Sequence, residues 1–270
     1  MGPSLAALLF FSIGIQWALF LNAISFAASF LAVLAVHAPA AMQRGAEAEH
    51  EGCFNELSAG LRFYFGNHVL TTLLVAGVLT LLAFGTLNTL DIFFVMQNLR
   101  AAPNVYGIVT SAQGIGLLAG AAFAGVYAQR LGVGRVFGYS LVAWGVTILI
   151  YARLTSVAPA IVLMGLTGFL LSAAQVAETP LFMHVTPQAL LGRAFAVFAP
   201  AISAAELLGI GLSGFLDSTV PRHFQARVLG VTLGTVDTIF SVVGLVILAA
   251  GIFAVMNLRA ISLEQTRESP

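Results

Sequence analysis

Residues 125–135, GVYAQRLGVGR, form a short basic segment between two long apolar runs, and this arrangement decides the fold of the chain. The runs on either side, 105–128 and 136–152, contain no formally charged residue. A membrane protein keeps its arginines at the ends of its spanning segments, because charge within the hydrocarbon layer is costly. The segment therefore predicts a basic loop, 129–135, between two membrane spans.

The composition excludes a soluble globular protein. Of the 270 residues, 59% are apolar and only 8% are charged, which leaves too few polar side chains to cover a globule. The net charge of zero gives no support for a nucleic-acid partner. The single cysteine excludes an internal disulfide, and no two of the five histidines have the spacing of metal ligands. We expect neither a metal ion nor a cofactor.

Seven apolar runs have about the length of 20 residues that a helix needs to cross the bilayer, and an eighth, 3–13, is short. The runs are continuous rather than alternating, which favours helices over a transmembrane barrel. The predicted fold is all-α, a polytopic transmembrane bundle of seven or eight spans. The seven runs are 17–36, 69–97, 105–128, 136–152, 157–178, 194–216 and 236–258.

Four regions follow from these runs. Residues 1–41 are predicted to be a transmembrane hairpin, 42–68 a cytoplasmic linker, 69–258 a six-helix unit and 259–270 a cytoplasmic tail. The linker contains an apolar stripe at helical spacing, which predicts an amphipathic helix. That helix lies in the membrane interface or packs against the cytoplasmic ends of the bundle. The stripe consists of Phe54, Leu57, Leu61 and Phe65.

Small residues recur four positions apart within the spans, as in Gly116 with Gly120 and Ala205 with Gly209. Such pairs let two helix backbones approach closely. Close packing matters here because the hydrophobic effect does not drive helices together within lipid. Gly114 and Gly211 are expected to widen these packing faces.

The arginines give the orientation. With the loop 129–135 on the cytoplasmic side, seven of the eleven basic residues fall inside, in agreement with the positive-inside rule. Both termini are then cytoplasmic, and the expected location is the cell inner (plasma) membrane.

The basic segment resembles the glycine-arginine loop that recurs in the major facilitator superfamily of membrane transporters. The resemblance rests on Gly125, Arg130, Gly132 and Arg135. Gln129 stands where that pattern has an acid.

Three further stretches extend the resemblance over the chain: Gly2-Pro3, the run NAISF at 22–26, and residues 186–193. In order and spacing, the chain resembles the end of the fifth helix through the twelfth helix of an exporter of the enterobactin and macrolide efflux kind. Such a transporter has two six-helix halves with the substrate site between them. The resemblance implies a truncated form, a homo-oligomer or a missing N-terminal half.

The implied function is secondary active efflux of a small amphipathic molecule by alternating access, coupled to proton antiport. The chain contains no phosphate-binding loop, nucleophile elbow or HExxH motif, so an enzyme is not expected. A different class remains open: a non-transporting membrane subunit or scaffold that docks a partner.

Polar residues within the spans are the candidate site residues, because a polar or ionisable side chain in the hydrocarbon layer is costly and is often functional. Glu206, near the centre of its span, is predicted to bind a proton or cation; the alternative is a protonated acid bonded within the bundle. Asn88 and Asp91 share a helix face and are predicted to line a substrate vestibule. The alternative for Asp91 is an acid that reaches the headgroups. Gln113 and Gln175 are predicted to face the same cavity.

Arg130 and Glu178 fall at the cytoplasmic ends of their runs and are predicted to pair. The resemblance implies that the loop arginine holds the inner side closed in the outward-open state. The alternative is two solvated, separate charges, since exposed pairs often contribute little. Asp237 precedes the last span and is expected to cap its helix rather than to couple transport.

Overall fold

The structure is a computed structural model that describes residues 15–35, 64–219, 226–228 and 231–268. The chain divides into two compact units, Met1–Glu56 and Leu57–Pro270. The predicted short run 3–13 and most of the linker, with three of the four residues of its apolar stripe, lie outside the described residues.

Helix α1, Ile15–Leu34, is the described part of the first unit. It contains the NAISF run, and the rings of Trp17 and Phe20 meet edge to face within it, 6.0 Å between centroids.

The second unit contains six long helices, and all six are long and apolar enough to cross a membrane. The described residues therefore confirm the predicted polytopic helical bundle, with six spans in this unit. The helices are α2 (His68–Gln97), α3 (Pro103–Leu131), α4 (Val133–Tyr151), α5 (Val157–Val185), α6 (Leu191–Thr219) and α7 (Thr235–Glu268).

Short elements fill the last two connections. A 3-10 turn, Gln188–Leu190, precedes α6, and two antiparallel strands, β1 (Ala226–Val228) and β2 (Val231–Leu233), lie between α6 and α7. The predicted loop 217–235 is thus partly a strand pair, with Arg227 opposite Thr232.

The helices begin where local chemistry supplies the missing hydrogen bonds. The side chain of Asn67 accepts from the amides of Val69 (3.0 Å) and Leu70 (3.3 Å) and so caps the start of α2. Pro103 is the first residue of α3, where a missing N–H costs no helical hydrogen bond.

The predicted basic loop 129–135 is wrong in extent. Helix α3 continues to Leu131 and α4 starts at Val133, so Gly132 alone connects them, with a φ of 88° that favours glycine. Arg130 lies in the last turn of α3 and Arg135 in the first turn of α4. The long side chain of an arginine near a helix end can place its charge at the membrane boundary. The arginine itself can therefore be helical and need not lie in a loop.

The predicted end of the fifth run at Glu178 is also wrong. Helix α5 continues through Pro180 to Val185. A proline does not end a membrane helix where neighbouring helices and local adjustment satisfy the freed backbone groups. Glu178 therefore lies within the helix, about two turns before its end.

Glycines bring three pairs of helices into backbone contact. A Cβ added to Gly116 or Gly120 of α3 would lie 1.9 or 2.1 Å from a carbonyl oxygen of α5. Gly209 of α6 approaches α2 in the same way, at 2.1 Å from the oxygen of Leu82. The predicted packing pairs are therefore at helix contacts. A Cβ added to Gly114 or Gly211 would meet no described atom within 4 Å, so the expectation that these glycines widen packing faces is wrong.

The third pair is α4 and α7. A Cβ added to Gly145 would lie 2.6 Å from the amide nitrogen of Leu248, and one added to Gly251 would lie 2.5 Å from the amide nitrogen of Val142. These contacts fix α4 antiparallel to α7, whereas α3 lies parallel to α5 and α2 parallel to α6. The ends of α2, α4 and α7 meet at an aromatic cluster of Phe94, Tyr151 and Phe240.

Candidate functional site

A buried carboxyl group lies among the helices near the α2 end that contains the aromatic cluster. Asp91 of α2 is only 3% exposed, and its Oδ1 accepts a hydrogen bond of 2.9 Å from the hydroxyl of Tyr151 on α4. Asp91 is thus inside the bundle and not at its lipid-facing surface. Within the described residues, it makes no ion pair. A carboxyl group at such depth is held at low cost only with a proton or a cation.

A small cavity adjoins Asp91. Its volume is about 20 Å³, enough for a single water molecule. It brings together three of the predicted site residues, Asn88, Asp91 and Gln113, from two helices. Asn88 is also exposed, so the polar groups extend from the buried carboxyl to the surface of the bundle. The other lining residues are Phe84, Leu87, Trp144, Ile148, Met164, Thr167 and Phe240.

Tyr151 is the residue of the candidate site that sequence reasoning missed. Its ring packs against Phe94, 4.7 Å between centroids, and against Phe240 at 6.0 Å. These two contacts fix the direction of the hydroxyl toward Asp91. The available signal was a tyrosine in the last turn of an apolar run, near the same membrane boundary as Asp91. Only the packing of both α2 and α4 against α7 brings Tyr151 to Asp91.

Next to the aromatic cluster, polar side chains form hydrogen bonds between the ends of α2, α4 and α7. Asn98, at the end of α2, donates to Oδ1 of Asp237, and Oδ2 of Asp237 accepts from the amide of Gly234 at 3.2 Å. Asp237 thus caps α7 from its third helical position, as in a capping box, rather than as the N-cap residue. Arg153 donates to the hydroxyl of Ser241 at 3.0 Å.

Glu206 and Gln175 lie away from the cavity. Glu206 is partly exposed on α6, and its backbone oxygen faces Gly85 of α2. Its side chain makes no hydrogen bond or ion pair with any described residue. Gln175 is exposed on α5. The structure therefore brings together Asn88, Asp91 and Gln113 but not these two.

Glu178 lies at the opposite end of the bundle, where α2, α5 and α6 meet. Its Oε1 lies 3.5 Å from where a Cβ on Gly77 would be, and Phe198 and Ile202 approach the same point. Arg130 is exposed on α3. In this part of the described chain, no ion pair joins Arg130 to Glu178, so the gating pair stays a prediction.

Tyr64, just before α2, is fully buried beside Glu178. Its ring packs on Phe182, 6.4 Å between centroids, and its hydroxyl has no hydrogen-bond partner within the described residues. Burial raises the pKa of the Tyr64 phenol, and the nearby Glu178 carboxylate raises it further.

We expect Tyr64→Phe to raise the free energy of unfolding by about 1 kcal/mol, because it removes a buried hydroxyl without a partner. Thermal unfolding of the purified protein in detergent measures this. Tyr151→Phe is the matched control: it removes a hydroxyl bonded to Asp91 and should lower stability by about 1–3 kcal/mol. A loss of stability in Tyr64→Phe would show that its hydroxyl has a partner.

Six apolar helices of spanning length that enclose a buried acid define a polytopic helical membrane protein. Residues 73–269 match the family model described as Major Facilitator Superfamily. The chain belongs to the Major Facilitator Superfamily and is a membrane transporter. Comparisons with curated proteins and with solved structures give no match. The family resemblance read from the sequence is confirmed, while its exporter branch stays a prediction.

Proposed function

We propose that this transporter exports a small amphipathic molecule by alternating access, in exchange for protons. The observation that carries the proposal is the buried Asp91 carboxyl, bonded to Tyr151 beside a cavity lined by Asn88 and Gln113. Proton relays in transporters are built from such intramembrane acids. A cavity of about 20 Å³ holds a water molecule rather than a substrate, which suits a proton-exchange site.

Two carboxyl groups are proposed to exchange protons. Asp91 is supported by its burial and by the absence of a cation partner within the described residues. Glu206 is supported by its position near the middle of α6 and by its partial exposure, which allows exchange with a water-filled pathway. Gln175, exposed on α5, is proposed to contact substrate in that pathway.

The substrate pathway is proposed to lie between this six-helix bundle and a second one, as in transporters with two halves. A second copy of the chain or a separate N-terminal half would supply it. The exposed apolar faces of α3 and α6 support this arrangement. Only 22% of the most apolar stretch of α3 and 17% of that of α6 are buried.

The gate is proposed to lie at the end of the bundle that contains Glu178. Arg130, Gly132 and Arg135 lie at the junction of α3 and α4, at the same end as Glu178. In the closed inner state, Arg130 would pair with Glu178. We place this end at the cytoplasmic face of the cell inner membrane, with both termini cytoplasmic.

The test is transport by the purified chain in proteoliposomes, with a lipophilic fluorescent cation as the substrate. We expect movement above that of empty liposomes, and stimulation by an imposed pH gradient. Glu206→Gln should reduce this stimulation while the protein remains folded, because an amide cannot carry the proton. Retained stimulation would remove Glu206 from the mechanism. Folded protein that moves neither this cation nor a panel of other amphipathic compounds would favour the alternative, a non-transporting subunit or scaffold.

A further inference from the structure

A groove on the surface of the bundle, separate from the Asp91 cavity, opens between α3 and α4. Its volume is about 420 Å³. The two helices are joined by Gly132 alone and diverge from that residue, while α5 forms the floor between them. The lining residues are Phe123, Leu131, Arg135, Val136, Tyr139, Ser140, Phe169 and Leu170.

The walls of this groove are apolar and partly open. Leu131 is 50% exposed, Tyr139 is 53% exposed and Phe123 is 36% exposed. The rings of Phe123 and Phe169 meet at the far end, 5.4 Å between centroids. From Leu131 to Phe123, eight residues of α3 give a length of about 12 Å along the groove. In a membrane-spanning bundle, a groove at this position lies at the depth of the lipid acyl chains.

One charged residue, Arg135, belongs to the lining and lies at the end of the groove near the membrane boundary. Its side chain is exposed and makes no hydrogen bond or ion pair with any other described residue. Among the described residues, no carboxylate lines the groove. The groove therefore combines an unneutralised guanidinium at the boundary with an apolar channel that leads toward the membrane centre.

We propose that this groove binds one anionic phospholipid, with its phosphate on Arg135 and an acyl chain between α3 and α4. A guanidinium binds phosphate oxygens through two parallel hydrogen bonds, and basic pockets between membrane helices bind anionic headgroups. A free phosphate would leave the apolar length of the groove unfilled. The occupant is therefore a lipid and not a soluble anion.

Native mass spectrometry of the purified, delipidated full chain tests the proposal, with dioleoylphosphatidylglycerol and dioleoylphosphatidylcholine as probes of equal chain length. We expect one retained phosphatidylglycerol, bound about fivefold more tightly than phosphatidylcholine. Arg135→Gln should remove this preference. Arg135→Lys should keep part of it, because lysine retains the charge but cannot form the two parallel hydrogen bonds of a guanidinium. Arg100→Gln, at the opposite end of the bundle, is the control and should keep the preference in full.

Three results would overturn the proposal. Equal binding of the two lipids to the wild type would show that charge is not recognised. Displacement of the lipid by glycerol phosphate at equal concentration would identify a soluble-anion site. A change of oligomeric state in Arg135→Gln with lipid retention unaltered would identify the groove as an interface between copies of the chain.

Discussion

Gly116→Ala is expected to lower the melting temperature of the purified protein by about 10 °C, which corresponds to a loss of about 3 kcal/mol. The new Cβ would lie 1.9 Å from the carbonyl oxygen of Gly165, a backbone atom that no rotamer change can move. Helices α3 and α5 would have to separate along a contact that Gly120 and Gly168 also form. Thermal unfolding in detergent, followed by size-exclusion chromatography, measures the loss.

Gly114→Ala is the matched control for this prediction. It makes the same chemical change on the same helix, two residues away, where nothing lies within 4 Å of the added atom. Alanine has the higher helix propensity, so this variant should be as stable as the wild type or more stable by up to about 1 kcal/mol. Equal melting temperatures for the two variants would contradict the packing of α3 on α5.

Asp91→Asn is expected to reduce stimulation by a pH gradient about tenfold or more, because the amide has nearly the shape of the carboxyl but cannot carry a proton. The hydroxyl of Tyr151 can still donate to the amide oxygen, so the fold should be retained. Downhill exchange of substrate, which needs no proton movement, should continue. The measurement is transport in proteoliposomes with and without the gradient, for both variant and wild type.

Asp237→Asn serves as the control, since it removes a carboxylate at the same end of the bundle but outside the cavity. It should cost some helix capping and leave the gradient response intact. A wild-type gradient response in folded Asp91→Asn would exclude Asp91 from proton coupling. Loss of both the gradient response and downhill exchange would assign Asp91 to substrate binding.

The spans were predictable from the sequence because an apolar run of sufficient length determines a membrane helix almost alone. The ends of the helices were not. The charges of Arg130 and Glu178 predict a boundary, yet both residues lie within helices. Arg130 is exposed near a helix end, from which its long side chain reaches the boundary, whereas the side chain of Glu178 lies among α2, α5 and α6.

The candidate site was predictable in its members but not in its assembly. Asn88, Asp91 and Gln113 were evident as polar residues in apolar runs, because burial of such groups needs compensation. Which helices lie side by side is a property of the packing, so neither the contact with Tyr151 nor the distance of Gln175 and Glu206 from the cavity could be derived.

The single residue between α3 and α4 limits how the two helices can travel. One residue spans at most about 3.6 Å, so the facing ends cannot slide apart along the membrane normal. Helix α5 packs against both α3 and α4, so the spread of their far ends is held by that packing. A change of the angle between α3 and α4 would therefore require a shift of α5 as well, with Gly132 at the membrane boundary as the pivot.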